Sequence, residues 1–393
     1  AGAFARGAQA CANPVRGAAA FVVPRPRMSL AVGIVGLPNV GKSTLFNALS
    51  NAGAQAANYP FCTIDPNVGV VPVPDTRMDA LIKLFEPLKE VPTAVEFVDI
   101  AGLVKGASKG EGKGNAFLSH IRNVDAIVHV VRCFESTEIV HVHGKVDPVD
   151  DAEVINTELL LRDIQSVESR LQKAQKNSKG GDKAEKQAAA TCEKLLAAMN
   201  RGQAVRTIEL DENDREVVKS LTLLTAKPML YAANVAENQL SQGDSNPLVA
   251  KVIELAKKEG ADVVVISAAI EAEIVGLSPD ERREFLEGIG ATEPGLNRLI
   301  RSAYALLDLI TFFTAGKQEV RAWTIRRGTL APGAAGKIHT DFERGFIRAE
   351  VMHWNDLVTL GSEAAVKAKG LLRVEGKEYT VQDGDVMHFR FNV

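Results

Sequence analysis

The chain has 393 residues, 46% of them hydrophobic and 24% charged, with a formal net charge of −3. That size suits two to three domains, and the balance excludes a largely disordered chain, a collagen-like one or a coiled-coil rod. No apolar run is long enough for a transmembrane helix. The four cysteines, Cys11, Cys62, Cys133 and Cys192, stand far apart without CxxC spacing, so neither a zinc site nor a disulfide framework is expected, and a reducing compartment is inferred.

Residues 1–28 carry Arg6, Arg16, Arg25 and Arg27, many alanines and no acid; the first carboxylate is Asp65. Such a leader has the composition of an organelle transit peptide, and a chloroplast is favoured over a mitochondrion. The alternative is an irregular tail on a cytoplasmic protein. Leu30–Val35 then reads as a buried strand, followed by a Gly-rich loop and a helix of about nine residues from Ser43. Further strands are expected at Val68–Val73, Thr93–Ile100, Ala126–Phe134, Lys227–Ala233 and Asp262–Ser267, with a helix at Leu248–Glu259 before the last. Strands alternating with helices predict an α/β domain with a mainly parallel sheet.

Two segments break the alternation. Between Asp151 and Asn200 lie eight acids and eight bases, and apolar residues recur at Leu160, Ile164, Val167, Leu171 and Ala174. That spacing is a seam for one partner helix. A turn at Ser178–Gly181 would reverse the chain into a second helix near Glu185–Met199, giving an inserted antiparallel coiled-coil hairpin. From Leu309 onward the residues are β-rich with Gly turns, as in a separate small domain. The domains expected are a leader, 1–28; a nucleotide-binding domain, 29–150 and 201–306; the helical insertion, 151–200; and a C-terminal domain, 307–393.

Gly36-Leu37-Pro38-Asn39-Val40-Gly41-Lys42-Ser43 fits GxxxxGK[ST] between a strand and a helix. In such a loop the backbone N–H groups of Asn39, Val40, Gly41, Lys42, Ser43 and Thr44 can close around phosphates. Lys42 supplies charge to the β- and γ-phosphates, and Ser43 offers a hydroxyl to Mg²⁺. Asn39 could also coordinate a monovalent cation such as K⁺; a backbone-capping role is the alternative. Asp99 ends a strand 57 residues after Lys42, where a carboxylate holds Mg²⁺ through water, and Gly102 can present its N–H to a γ-phosphate. Thr63, between the two, is the expected switch threonine on the metal.

Asn234-Val235-Ala236-Glu237 occupies the slot where GTPases carry Asn-Lys-x-Asp. Glu237 extends the carboxylate by one methylene and Val235 removes the lysine stem beside the base, so guanine selectivity should fall and ATP become admissible. Asn234 is expected to pair with the purine edge, and Ser267-Ala268-Ala269 to form the last base-contacting loop. Leu103 stands where many GTPases have a water-orienting Gln, which implies slow hydrolysis. His120, His129, His141 and His143 are the candidates to replace it; His141 is favoured and His129 reads as a core residue.

These stretches, with HVVRCFE and AGKIHTDFERGFIRAEV, resemble the YchF/Obg-like ATPase family from Ala31 to Val393. The resemblance implies a P-loop G domain, a coiled-coil arm, a C-terminal TGS domain of α+β ubiquitin-like β-grasp fold, hydrolysis of ATP in preference to GTP with Mg²⁺, and binding to ribosomes through the TGS domain and the arm. The leader departs from the cytosolic family pattern. A monomer without membrane contact is expected. The C-terminal domain carries twelve Lys/Arg against ten Asp/Glu from Ile310 on, with Arg321, Arg326, Arg327, Arg344 and Arg348 candidates for phosphate contact and Trp323 and Phe346 for stacking. Competing functions are a nucleotide-gated scaffold with negligible turnover and a small-molecule P-loop kinase.

Overall fold

The computed structural model describes residues 30–55, 67–100, 120–142, 144–178, 180 and 182–392. The leader, Thr63, Gly102, Leu103, His143 and the Gly-rich loop after Asp99 lie outside the described residues.

The first sheet has the order β2-β4-β1-β5-β6-β7: β1 is Ala31–Val35, β2 Val68–Pro72, β4 Ala94–Asp99, β5 Ala126–Arg132, β6 Met229–Asn234 and β7 Asp262–Ile266. All neighbours are parallel except β2, which runs antiparallel to β4 at the edge. Every residue of β1, β5 and β6 is buried. Strands covered on both faces must be apolar throughout, which is why these segments lack the alternation of a half-exposed strand. Strand order reverses across β1, with β4 on one side and β5 on the other, so the loop leaving β1 opens at a topological switch point where α/β sheets bind ligands. Helix α1, Lys42–Gln55, is longer than the sequence suggested. It continues through Gly53 because only a residue without Cβ fits there: a Cβ would lie 2.2 Å from the Val70 carbonyl oxygen of β2.

The second sheet, β11-β10-β12-β8-β9-β3, comprises β3 (Lys89–Val91), β8 (Leu309–Ala315), β9 (Glu319–Arg326), β10 (Phe346–His353), β11 (Arg373–Glu375) and β12 (Asp385–Phe391). Five of its strands come from the C-terminal segment. The sixth, β3, does not: it pairs parallel to β9 through Lys89–Glu319, Glu90–Val320 and Val91–Arg321. Helix α2, Thr76–Phe85, lies with it and packs Met78 and Leu81 against Phe313 and Val320. Arg77 fastens the same corner, with ion pairs to Asp75 at 2.7 Å and Asp383 at 2.9 Å. Thr76–Val91, within the stretch assigned to the nucleotide domain, is thus built into the C-terminal sheet.

The helical insertion forms an antiparallel pair, α3 (Pro148–Ser178) and α4 (Lys183–Met199). Its first turns belong to the main core through Ala152, Ile155 and Leu159. The seam read from sequence follows: Val167, with Leu160, Ile164 and Leu171, packs against Cys192, Leu195 and Met199. Asp182 caps α4 by accepting from the Ala184 and Glu185 N–H groups. Helix α5, Glu212–Leu221, props the pair: Asp214 accepts from Thr191 Oγ1 and Lys194 Nζ, both at 2.7 Å. Among the described residues no helix is long and apolar enough to cross a membrane.

Candidate nucleotide-binding site

The loop from Gly36 to Lys42 leaves β1 with Gly36, Asn39 and Gly41 all at positive φ. At Gly41 (φ +98°) a Cβ would lie 2.3 Å from Asn234 Nδ2, so both the conformation and the space demand glycine. Lys42 is 8% exposed, and its Nζ donates to the Leu37 carbonyl oxygen at 2.7 Å, folding the side chain back over the loop. Burial lowers its pKa and Asp99 opposes the shift; the Asp99 carboxyl is pushed up by burial and held down in part by Lys42. Each residue's charge acts on the other. Asp99 Oδ1 is buried and accepts no hydrogen bond among the described residues. Ser43 and Thr44 are exposed at the first turn of α1.

Asn234, at the end of β6, is a brace. Its Nδ2 donates to the Val40 carbonyl oxygen at 2.9 Å, and its Oδ1 accepts from the Ala268 N–H at 2.9 Å. It joins the phosphate loop to the helix Ala268–Ile274, instead of offering its whole amide to a purine edge. Val235 is placed differently from expectation: it is 2% exposed in the main core, with its N–H bonded to Ile266 O. A lysine there would carry an ammonium into apolar packing, so Val235→Lys is not a simple change of base contact. Glu237 is exposed at the start of the 3-10 segment Glu237–Ser245. Ser267 is fully buried and its Oγ has no hydrogen-bond partner among the described residues, while Ala269 is exposed one residue past Ala268.

The loop after β5 closes one side. Arg132, 1% exposed, donates from Nε to Phe134 O and from Nη1 to Ile139 O, both at 3.0 Å. Asn39 Nδ2 donates to Val140 O at 3.2 Å and ties this loop to the phosphate loop. His141 is deep in the same loop: its side chain is 5% exposed, with Nε2 2.8 Å from Asp151 Oδ2 on α3. His129 is a core residue, stacked on Tyr231 with centroids 5.2 Å apart, and burial pushes its pKa down to about 3, so it stays neutral. His120 stands before β5 and is exposed. Arg132 lies in the HVVRCFE stretch but was assigned no role from sequence, and Asp151 was not read as a partner of His141.

In the C-terminal sheet Arg321 lies 4.0 Å over the Trp323 ring, whose Nε1 donates to Thr314. Phe346, expected as a stacking surface, is 5% exposed and belongs to the core beneath the sheet, so it offers no face to a base.

A strand–phosphate loop–helix at the switch point, a buried lysine in that loop, a carboxylate at the end of the neighbouring strand β4, and a loop braced by Asn234 define a P-loop nucleotide-binding protein of the G-domain class. The family model described as 50S ribosome-binding GTPase matches residues 31–167, and the YchF-GTPase C-terminal model, described as a protein of unknown function, matches 309–392. The chain is 57% identical to the ribosome-binding ATPase YchF of Haemophilus influenzae and 56% identical to that of Bacillus subtilis, each over 93% of this chain and 100% of the relative. The solved structure of the Schizosaccharomyces pombe YchF GTPase superposes with a TM-score of 0.84 at 42% identity, over 93% of this chain and 99% of that one. The chain belongs to the YchF family.

Proposed function

We propose that this protein is a Mg²⁺-dependent P-loop nucleoside triphosphatase that hydrolyses ATP at least as readily as GTP, and whose nucleotide state governs binding to the ribosome. The observation that carries the reading is Lys42, buried in the phosphate loop with its ammonium on Leu37 O, beside the half-buried Asp99 at the end of β4, one of whose carboxylate oxygens has no hydrogen-bond partner among the described residues. The names of the bacterial relatives, ribosome-binding ATPases, support the substrate and the partner. The residues fit Mg²⁺: Asp99 and Ser43, with Thr63 from the neighbouring stretch, would hold it, and it would neutralise charge developing on the phosphates. Lys42 binds the β- and γ-phosphates, and the backbone from Asn39 to Thr44, with Gly102, would orient them. The C-terminal sheet and the α3–α4 arm are the proposed ribosome contacts.

Base preference rests on Glu237. An Asp carboxylate would accept two hydrogen bonds, from guanine N1–H and the 2-amino group, and be left unpaired by adenine, a penalty of about 1–3 kcal/mol for a buried acceptor. Glu237 is exposed and can turn its carboxylate to water. Wild type is expected to bind ATP at least as tightly as GTP, and Glu237→Asp to move the ratio toward GTP by about tenfold. Competitive displacement of a labelled nucleotide measures both; tight GTP selectivity in the wild type would sink this reading of the base site.

His141 is the proposed water-orienting group. Asp151 fixes its ring, and its loop touches the phosphate loop through Asn39. The ring is nearly enclosed, so it reaches the nucleotide only after that loop shifts; geometry without ligand does not disqualify such a group. His141→Ala should lower turnover by about 10²–10⁴-fold with ATP affinity little changed. Single-turnover hydrolysis beside equilibrium binding checks it, and equal turnover in the two proteins would remove His141 from the mechanism.

A further inference from the structure

The tip of the helical arm is a basic pole on an acidic chain. Beyond Ala174 on α3 and Ala188 on α4, the last residues buried in the seam, the pair contributes nothing to a core. Lys176, Lys183 and Lys186 are exposed there, and Lys173 is exposed one residue before Ala174. The two acids of the tip are already engaged. Asp182 caps α4, and Glu185 is held by Arg170 through bonds of 2.8 and 3.1 Å. Lys179 adds a fifth cation in the sequence of the turn.

Folding does not ask for these charges. Lysines at the end of α3 suit the negative end of the helix dipole, but Lys183 and Lys186 sit in the first turns of α4, where the dipole is positive and cations are unfavourable by a few tenths of a kcal/mol. A rod that carries cations against its own dipole is matched to an anion outside the protein. The tip lies fifteen residues past Asp163, which accepts from the N–H groups of Leu224 and Thr225 at the edge of the main core, and fifteen residues are about 22 Å of helix. Lysines act as point charges on flexible stems, suited to phosphates and not to reading bases. Among the described residues no large apolar side chain is exposed near the tip, as insertion into a bilayer surface would require.

We propose that the arm tip binds the sugar-phosphate backbone of RNA through Lys173, Lys176, Lys183 and Lys186. This rests on the ribosome-binding reading above and names the chemistry of one of its contacts. The test uses the full chain and a variant with all four lysines changed to glutamine, measured for co-sedimentation with intact ribosomes and for anisotropy with a labelled RNA duplex. The variant should bind both at least about tenfold more weakly near 100 mM KCl. Its slope of log K against log salt should fall by about three, the counterion release of up to four phosphate contacts. The pair Lys183→Gln and Lys186→Gln, which relieves the dipole conflict and should fold at least as well, must show about half of that change. Control substitutions Lys257→Gln and Lys258→Gln, exposed on the helix Pro247–Glu259, should leave binding unaltered.

Equal binding and equal salt slope in wild type and tip variant would overturn the proposal while leaving ribosome binding in place. An equal loss in the control pair would overturn it as a general charge effect. Loss on ribosomes with no binding of wild type to the duplex would overturn the RNA contact in favour of an acidic protein surface. Failure of the wild type to sediment with ribosomes would overturn the ribosome reading itself.

Discussion

Lys42→Ala is expected to lower ATP turnover by at least about a hundredfold, the scale of removing one preorganised charge-stabilising donor from a phosphoryl-transfer site. The side chain is already seated: its ammonium is bonded to Leu37 O, and its charge acts on Asp99, before any nucleotide arrives. Alanine removes the cation that meets the β- and γ-phosphates. It also leaves Asp99 as a half-buried carboxylate without its opposing charge, which raises its pKa further and weakens its hold on Mg²⁺. The fold should survive, because the sheet beneath does not depend on Lys42. Circular dichroism together with phosphate release checks both parts; full turnover in a folded variant would move the active site elsewhere.

Asn234→Ala should cost about 2–4 kcal/mol of stability and weaken ATP binding by at least about tenfold. The substitution strands two partners in a buried place, the Val40 carbonyl and the Ala268 N–H, each at about 1–3 kcal/mol. It also frees the phosphate loop from the helix Ala268–Ile274, so the loop no longer holds its shape before the nucleotide binds. Asn234→Asp separates the two roles. It can still accept from Ala268 but presents an oxygen to Val40 O, so it should bind ATP no better than alanine does. Thermal unfolding and ATP titration of both variants measure this. Wild-type affinity in either would show that the brace does not shape the site.

The parts of the site that lie within one short stretch were readable in the sequence. The phosphate loop is contiguous, its glycines are required by backbone conformation, and the strand before and helix after it are strongly patterned. Asp99 was readable as the last residue of a strand. Asn234 was legible in position but not in use, because its partner Val40 is 194 residues away. Val235 was assigned to the base, yet the buried run of β6 continues through it into the core. Asp151 was missed as the partner of His141 because α3 begins at Pro148, earlier than the charged pattern indicated. The pairing of β3 with β9 joins residues 230 positions apart, such as Lys89 and Glu319, and three polar or small-patterned residues give no local sign of it. The hairpin seam was readable because both of its helices are local and periodic.

Phosphate release from ATP and GTP by the full chain, with and without ribosomes and beside Lys42→Ala, tests the central claim most directly. The proposed function predicts Mg²⁺-dependent release from ATP at least as fast as from GTP, a rate that changes when ribosomes are added, and loss of release in Lys42→Ala. Release from GTP alone, or a rate no higher than that of Lys42→Ala under every condition, would contradict it.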